Sequence, residues 1–320
     1  SVKLNKEAAL AAIDEKIAKP LGISPLEAAA GLFELVIANM SNAARAVTIE
    51  KGHDPREFTM ISYGGASALY IASIAKELGI KQVIIPNNAS VFSAYGLLWS
   101  DYRRTYVQTV NWNLKLGQLE ELNEKLTELT ANVQKDLEEN GFNEQDVAIL
   151  WEGDFKFGTQ AFELTIQIPK RTLTEDDRKV LAEAFIAEYE RLYGEGTSWD
   201  GAEHLTIMLN VRVTGIGKVQ KPSLQTFNTS ETQAVSAKIA EREVYLPQDR
   251  QTKTVSIYKD ELLHYGMEVR GPAIIEAKDT TIFIPEDAKA SVDQYGNYLM
   301  SLQTAEQEEK TLVAESQGGN

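Results

Sequence analysis

The fold of this chain is constrained most by a short apolar segment that leads through two glycines into an alanine-rich helical pattern. The segment 58–63 is followed by Gly64-Gly65-Ala66 and then by a helical pattern over 67–78. The next apolar run, 82–86, is uninterrupted, which is typical of a parallel strand buried on both faces. These features predict a β-α-β unit, and a right-handed crossover makes its two strands neighbours in one sheet.

Glycine at such a junction has two explanations. Gly64 and Gly65 let the backbone turn sharply and let a ligand approach the main chain. The N-terminus of the following helix offers free N–H groups and a partial positive charge, which suit an anion. Many strand-to-helix turns use glycine for packing alone, so the local sequence leaves both interpretations open.

Composition excludes several kinds of site. The 320 residues contain no cysteine, which removes disulfides, thiolate zinc sites and a cysteine nucleophile. The formal net charge of -15 argues against nucleic acid, because phosphates need clustered cations. The histidines His53, His204 and His264 are not at metal-ligand spacing, so we predict no metal site in the chain itself. Without a long apolar run or a basic leader, we expect a cytoplasmic protein that does not bind a membrane.

A long helix precedes the β-α-β unit. Ser24 is a good cap, Pro25 suits the first helical position, and Glu27 is an acid in the first turn. The segment from 25 to about 51 is apolar over much of its surface, so we expect a largely buried helix. Gly52 and Pro55 then end it.

The order of predicted elements indicates an α/β fold. Strands and helices over 111–220 form a mixed α+β region, and several short strands follow a linker rich in Pro, Ser, Thr and Gln. The predicted domains are 1–110, 111–220 and a small β-rich domain over 221–302, with a disordered tail over 303–320. We predict core positions for four aromatic side chains, Trp151, Phe155, Phe157 and Phe162.

The segment from Asn39 to Arg104 resembles the hydantoinase A, 5-oxoprolinase and acetone carboxylase β-subunit family. The resemblance rests on Arg45-x-Val47-Thr48-x-Glu50-x-Gly52-His53-Asp54-Pro55-Arg56, Tyr63-Gly64-Gly65-Ala66 and Val91-Phe92-Ser93-Ala94-x-Gly96-Leu97-Leu98. Further matches are Phe157-x-x-Gln160-x-x-Glu163-Leu164 and Gly271-Pro272-Ala273-Ile274-Ile275-Glu276. Order and spacing are kept over most of the chain.

This resemblance implies a partial actin-like ATPase subdomain over residues 1–110. Proteins of that class hold ATP between two related halves, and the phosphate-binding loops of the first half are not found in this sequence. The chain therefore resembles the C-terminal portion of a longer protein. ATP and Mg²⁺ are the implied cofactors, and both would require the missing N-terminal half, present in cis or as a second subunit of a hetero- or homo-oligomer.

The same resemblance implies the nucleotide-binding residues. Gly64, Gly65 and Ala66 would form the adenosine-side turn of the nucleotide cleft, and the helix beginning at Ser67 would lie against the nucleoside. The family usually continues with Gly-Pro-Leu-His, whereas this chain has Ser67-Ala68-Leu69-Tyr70. The change removes backbone freedom and a titratable group, so nucleotide affinity or the partner reaction is expected to differ.

Two groups of polar residues are candidates for the cleft, each with a structural alternative. Arg45 and Glu50 could shape the cleft, or they could form an ion pair or a link to the next helix. His53 and Asp54 lie in a turn that ends a helix, where capping explains them equally well.

A third group follows the second strand of the β-α-β unit. Ligands of open α/β sheets bind at the carboxyl ends of strands, which makes Asn87, Asn88 and Ser93 candidates. Ordinary turn chemistry also favours Asn and Ser at such positions.

The first functional hypothesis is an ATP-dependent hydantoinase- or oxoprolinase-type enzyme that phosphorylates a cyclic amide, its small-molecule substrate, for ring opening. A β-type subunit of an ATP-dependent ketone carboxylase is the second hypothesis. The third is a non-catalytic assembly module in which Ser67 and Tyr70 mark a lapsed nucleotide site. On the first two hypotheses the isolated chain is expected to be inactive, because the phosphate loops are absent.

Overall fold

The computed structural model describes residues 5–158, 160–198, 206–229 and 233–302. The predicted tail 303–320 and His204 lie outside these residues. The described part is a mixture of α-helices and β-sheets, which confirms the predicted α/β class. It divides into two compact units, one formed by residues up to Leu97 together with those from Ser223 onward, and the other by Leu98–Pro222.

The helices and strands follow the predicted order closely. The helices are α1 Lys6–Ile13, α2 Lys19–Leu21, α3 Pro25–Val47, α4 Ser67–Glu77, α5 Phe92–Leu97, α6 Leu119–Glu139 and α7 Glu175–Tyr193. The first six strands are β1 Met60–Ile61, β2 Gln82–Ile85, β3 Tyr102–Asn113, β4 Val147–Phe157, β5 Leu164–Ile168 and β6 Thr206–Gly217. The others are β7 Lys238–Leu246, β8 Gln251–Lys259, β9 Glu268–Arg270, β10 Ala273–Glu276, β11 Thr281–Ile284, β12 Ala288–Val292 and β13 Tyr298–Leu302.

The first unit contains the predicted β-α-β unit. Strands β1 and β2 are parallel, with Met60 opposite Val83, and α4 connects them. Their sheet has the order β1-β2-β13-β12-β9, and β13 runs antiparallel to β2. A second sheet has the order β11-β10-β8-β7. The β-α-β prediction is therefore confirmed.

The domain boundaries differ from the three consecutive domains predicted for the chain. The strands over 221–302 join the same compact unit as α4, because β13 extends the sheet of β2. Tyr298, Met300 and Leu302 alternate along β13 and are buried in the same core as Val83 and Ile85. No periodic pattern in the sequence of β13 indicates that it pairs with residues 82–85.

Helix α3 is less buried than expected. Ser24 caps the helix as predicted, in a capping box with Glu27, but the helix ends at Val47, and a 3₁₀ turn leads to Gly52 in the left-handed conformation. Only Ala28, Ala30, Ile37 and Ser41 are buried, whereas Leu35 and Val47 are 57% and 60% exposed. Apolar composition all round the helix predicted burial, but only one face packs in this unit.

The second unit is a four-stranded antiparallel sheet with the order β3-β6-β4-β5. Its core contains the buried leucine stripe of α6 together with Leu181 and Phe185 of α7. Trp151, Phe155 and Phe157 lie in this core as predicted. The prediction for Phe162 is wrong, because its side chain is 75% exposed in the connection before β5.

Among the described residues, no single helix has the length and apolarity needed to cross a membrane. The segments Lys6–Leu21 and Pro25–Lys51 meet those requirements only as a pair, and the pair is bent by 91°.

Candidate functional site

The turn after β1 is set by backbone conformation at one glycine. Gly64 has φ of 100°, a left-handed value that strains any residue with a side chain. Its N–H donates to the carbonyl oxygen of Ala89 at 2.7 Å, which ties the turn to the segment after β2. Gly65 does not share this conformation, so the positive φ that glycine permits is used at Gly64 alone of the two.

Helix α4 starts directly after this turn with its N-terminus open. Ala66 is the N-cap residue, and no side chain caps the helix. Ser67 turns its hydroxyl back into the turn, with its Oγ 2.8 Å from Ser62 Oγ and donating to Gly64 O at 3.4 Å. The first N–H groups of α4 therefore carry the partial positive charge of a helix end without a side-chain acceptor.

Two contacts brace the same turn from the C-terminal part of the unit. Thr280 Oγ1 donates to Gly65 O at 3.0 Å. Ser90 Oγ donates to the carboxylate of Asp279. The loop between β10 and β11 thus holds the turn and the segment after β2 together.

The residues predicted after β2 have different surroundings. Asn87 Nδ2 donates to Tyr295 O at 2.7 Å, and the Asn87 N–H donates to Asn297 Oδ1 at 3.2 Å, so Asn87 holds the β12–β13 turn. Asn88 is half-buried and precedes the 3₁₀ turn Ala89–Val91. Ser93 is exposed on α5. The carbonyl oxygen of Ala89 accepts the hydrogen bond from Gly64, so the neighbouring Asn88 lies next to the glycine turn. Asn87 instead contacts the β12–β13 turn.

The candidate Arg45 lies at the opposite end of α4. Arg45 donates to Glu77 Oε1 at 2.9 Å and to Asn42 Oδ1 at 2.9 Å. Ser41 Oγ donates to the other oxygen of Glu77 at 2.9 Å. The hydrogen bond from Arg45, then that from Ser41, lowers the pKa of Glu77 below its ordinary value. Arg45 therefore links α3 to the end of α4 and is not paired with Glu50.

The other candidates near that end lie in surface turns. Glu50 and His53 are exposed, and the His53 ring meets Phe58 edge-on with the centroids 6.1 Å apart. Asp54 caps the 3₁₀ turn Pro55–Glu57 and accepts from Arg56 N at 2.9 Å and Arg56 Nη2 at 2.7 Å. These hydrogen bonds, the side-chain bonds first, lower the pKa of Asp54 to about 2.

Most of the predicted residues therefore fall into two groups. Gly64, Gly65, Ala66 and Ser67, with Asn88 beside them, surround the N-terminus of α4. Arg45, His53 and Asp54 surround its C-terminus, where His53 and Asp54 share a surface depression with Leu78. Ser67 and Glu77 are ten positions apart on the helix, which is about 15 Å at the usual rise. The structure does not bring the two groups into one site.

Sequence reasoning missed an aromatic group at the glycine turn. The ring centroid of Tyr63 lies 5.7 Å from that of Phe92, and Phe92 lies 6.4 Å from Tyr95. Tyr63 directly precedes Gly64 and is 54% exposed. Phe92 and Tyr95 are half-buried, so Tyr63 is the ring of this group that is exposed enough to stack against a heteroaromatic ligand. The available signal was the spacing Phe92-x-x-Tyr95, one helical turn, next to the candidate loop.

Metal ligands are not clustered in the part of the chain that the structure describes. No group of three or more His, Cys, Asp or Glu side chains there could hold a metal ion. These residues do not fit a bound Mg²⁺, so no metal ligand is assigned to them.

Comparison with known proteins places these features in a family. The model of the hydantoinase/oxoprolinase family matches residues 1–106, and that of the hydantoinase/oxoprolinase C-terminal domain matches residues 111–304. The chain is 28% identical over 301 residues to the caprolactamase subunit alpha of Pseudomonas jessenii, covering 93% of this chain and 43% of that protein.

Two solved structures share the fold. A nucleotide-free structure of acetone carboxylase, from a study of ATP-dependent acetone carboxylation, superposes with a TM-score of 0.78 at 28% identity, over 95% of this chain and 44% of that one. The ATP-dependent caprolactamase of Pseudomonas jessenii gives 0.72 at 28% identity, over 94% and 43%. The chain thus spans about two-fifths of the length of these relatives. The two family models match most of the sequence, and the two superposed structures share its fold. The chain belongs to the hydantoinase/oxoprolinase family.

Proposed function

We propose that this chain supplies the nucleoside-binding part of an ATP-dependent enzyme that opens a cyclic amide. The observation that carries the proposal is the left-handed turn at Gly64 leading into the uncapped N-terminus of α4. Such a turn presents main-chain N–H groups and a positive helix end to a ligand. The names of the relatives support ATP as that ligand, since the caprolactamase structure is described as ATP-dependent.

In this proposal the chain positions the nucleoside. Gly64, Gly65 and Ala66 form a surface that a nucleoside can approach closely, because two of the three residues lack a side chain. The rings of Tyr63 and Phe92, tilted by 43° to each other, offer apolar surface beside it. The ligands of any Mg²⁺, and the groups that contact the transferring phosphoryl group, are assigned to the remainder of the family polypeptide.

The proposed reaction uses ATP to activate a poor electrophile. The terminal phosphoryl group passes from ATP to the amide oxygen, and ADP leaves. Water then adds to the activated carbon, and the C–N bond breaks with a proton transferred to nitrogen, which gives an amine and an acyl phosphate. A second water releases phosphate and the free carboxylate. Each ring opened therefore consumes one ATP and two waters, and yields one ADP, one phosphate and the ring-opened acid, which is an amino acid from a lactam and an N-carbamoyl amino acid from hydantoin.

A second candidate is a subunit of an ATP-dependent ketone carboxylase. The superposition on acetone carboxylase, with the higher TM-score of the two structures, favours it specifically. The turn at Gly64 would serve the same nucleoside role in either enzyme. The two candidates therefore differ in the co-substrate that stimulates ATP consumption.

A substrate panel tests both proposals. The full-length protein, purified with any co-purifying subunit, is incubated with ATP and either 5-oxoproline, hydantoin, caprolactam, or acetone plus bicarbonate, while ADP and products are measured. We expect at least tenfold stimulation of ADP release by one cyclic amide, with product and ADP formed in equal amounts. Stimulation by ketone plus bicarbonate alone would replace the first proposal by the second.

The same protein tests the assembly-module hypothesis. No ADP release with any substrate, together with no rise in melting temperature on adding ATP, would overturn both enzymatic proposals, since a ligand that binds the native state stabilises it. Co-purification with a second subunit is expected under the carboxylase proposal. It also fits the cyclic amide proposal, because the caprolactamase relative is named as a subunit.

A further inference from the structure

The first compact unit contains a cavity of about 670 Å³. The residues that line it do not include those of the glycine turn. One wall comes from α3 and α4, through Phe33, Leu69 and Tyr70. The facing wall comes from the β7–β8 turn and from Ile274 and Phe283 of β10 and β11. Its volume lies within the range of small-molecule sites in proteins.

Apolar side chains from two parts of the unit line the cavity. Phe33 and Tyr70, whose ring centroids lie 5.1 Å apart, pack against the main core of this unit. Ile274 belongs to a smaller cluster on the second sheet, and Phe283 packs against that cluster. Moving apolar surface out of water is favourable. An apolar gap of this size therefore suits a ligand with an apolar body.

Polarity changes along the cavity in one direction. Leu69, Tyr70, Ser73 and Lys76 lie along one side of α4, and the distance from the first to the last is about 10 Å along the helix. Gln248 Nε2 donates to Ser73 Oγ at 2.6 Å, and the Lys76 ammonium pairs with the Asp287 carboxylate. The cavity thus has an apolar end near Leu69 and a polar end near Lys76.

The polar end carries an excess of negative charge. Asp249, Glu286 and Asp287 all line it, and the ammonium among the lining residues is that of Lys76. Lys253 bridges two of these carboxylates, with its Nζ 2.8 Å from Asp249 and 2.7 Å from Glu286. Three carboxylates and two ammonium groups leave one negative charge, and the carboxylates of Asp249 and Glu286 are 41% and 64% exposed.

We propose that this cavity binds a small organic cation, namely an amine whose aromatic or apolar body is up to about 10 Å long. The body lies between Tyr70 and Phe283, and the cationic head meets the carboxylates of Asp249 and Glu286. The net negative charge at the polar end favours a cationic head over a neutral or anionic one, because opposite charges attract. The site is independent of the proposed nucleotide turn and is new to this chain.

Calorimetric titration with three matched probes tests the proposal. Phenethylammonium is compared with 2-phenylethanol and 3-phenylpropionate, which keep the ring and change the head group. We expect saturable 1:1 binding of the cation, with the neutral and anionic probes about tenfold weaker or undetectable. Equal binding of the neutral probe, or no saturable binding of the cation by folded protein, would overturn the proposal.

Variants at exposed positions separate charge from folding. The double variant Asp249→Asn with Glu286→Gln is expected to weaken cation binding about threefold to tenfold at low salt. Glu261→Gln, an exposed acid outside the cavity lining, serves as the control and should leave the affinity unchanged. Tyr70→Leu removes the aromatic contact to the ring of the probe and should cost about fivefold. An unchanged affinity in the double variant, with its circular dichroism spectrum intact, would contradict a cationic ligand.

Discussion

The two ends of helix α4 are surrounded by different chemical groups. At the N-terminus the turn is built from main chain, with Gly64 in the left-handed region and no side-chain cap on the helix. At the C-terminus the surroundings are charged side chains, with Arg45 and Ser41 both bound to Glu77 and Arg56 bound to Asp54. One end therefore leaves main-chain donors for a ligand, whereas the other satisfies its charges internally.

This contrast gives a criterion for interpreting candidate residues. A charged side chain whose hydrogen bonds are taken up by its neighbours has a sufficient structural explanation, as Arg45 and Asp54 have here. A left-handed turn that requires glycine and leaves helix N–H groups without a side-chain acceptor has no such explanation. The first three of the four predictions below concern stability, and they test whether the two ends differ as described.

The largest effect is expected for Gly64→Ala. Because Gly64 has φ of 100°, a side chain there should lower the free energy of unfolding by about 1–3 kcal/mol. Gly65→Ala is the matched control, since an added Cβ would lie 3.8 Å from Asp279 O, an ordinary contact. Urea denaturation of both variants measures the difference. Equal losses at the two positions would contradict the assigned backbone conformation.

The next effect concerns the brace on the turn. Thr280→Val removes the donor to Gly65 O and should cost about 1 kcal/mol of unfolding free energy. Thr280→Ser keeps the hydroxyl and is expected to recover most of that loss. If Thr280→Ser were as unstable as Thr280→Val, the lost methyl group rather than the hydrogen bond would explain the effect.

A smaller effect is expected at the C-terminal end. Arg45 and Glu77 are each about one-third exposed, so their coupling free energy should be about 0.5–1 kcal/mol. A double-mutant cycle with Arg45→Gln and Glu77→Gln, followed by urea denaturation, measures it. The coupling should shrink in 1 M salt, whereas the cost of Gly64→Ala should not. A salt-independent coupling would argue against an ion pair as the link between α3 and α4.

The sequence predicted the elements of this fold better than their partners. Local patterns identified α4, β2 and the helix cap at Ser24, because capping and periodicity depend on neighbours in the chain. The pairing of β13 with β2 joins residues more than 200 positions apart, and no local pattern encodes that register. The exposure of Leu35 on α3 was missed for the same reason, since composition does not state which faces find a partner.

The candidate site shows the same limit. The glycine turn was predicted because glycine at a strand-to-helix junction indicates a backbone conformation that other residues rarely adopt. The residues Arg45, His53 and Asp54 belong to the same family pattern, but the 11-residue helix α4 lies between them and the turn. Spacing in the sequence did not reveal that separation, because the long helix α3 returns the chain to the far end of α4.

The smallest expected effect is the titration of Asp54, which is a structural carboxylate at the C-terminal end of α4. Its pKa lies at about 2, below the ordinary 3.8, chiefly because Arg56 donates to the ionised form. A lowered pKa in the folded state means that Asp54 contributes stability above pH 4, and that this contribution is lost as the pH falls toward 2. Carbon-detected NMR titration of the side-chain carboxyl group should give this value in the intact protein. In Arg56→Gln the pKa should return toward 3.8, because a neutral amide no longer favours the charge. A wild-type pKa near 3.8 would show that the Asp54–Arg56 pair does not persist in solution. Asp54 would then again be a candidate for the cleft, together with His53.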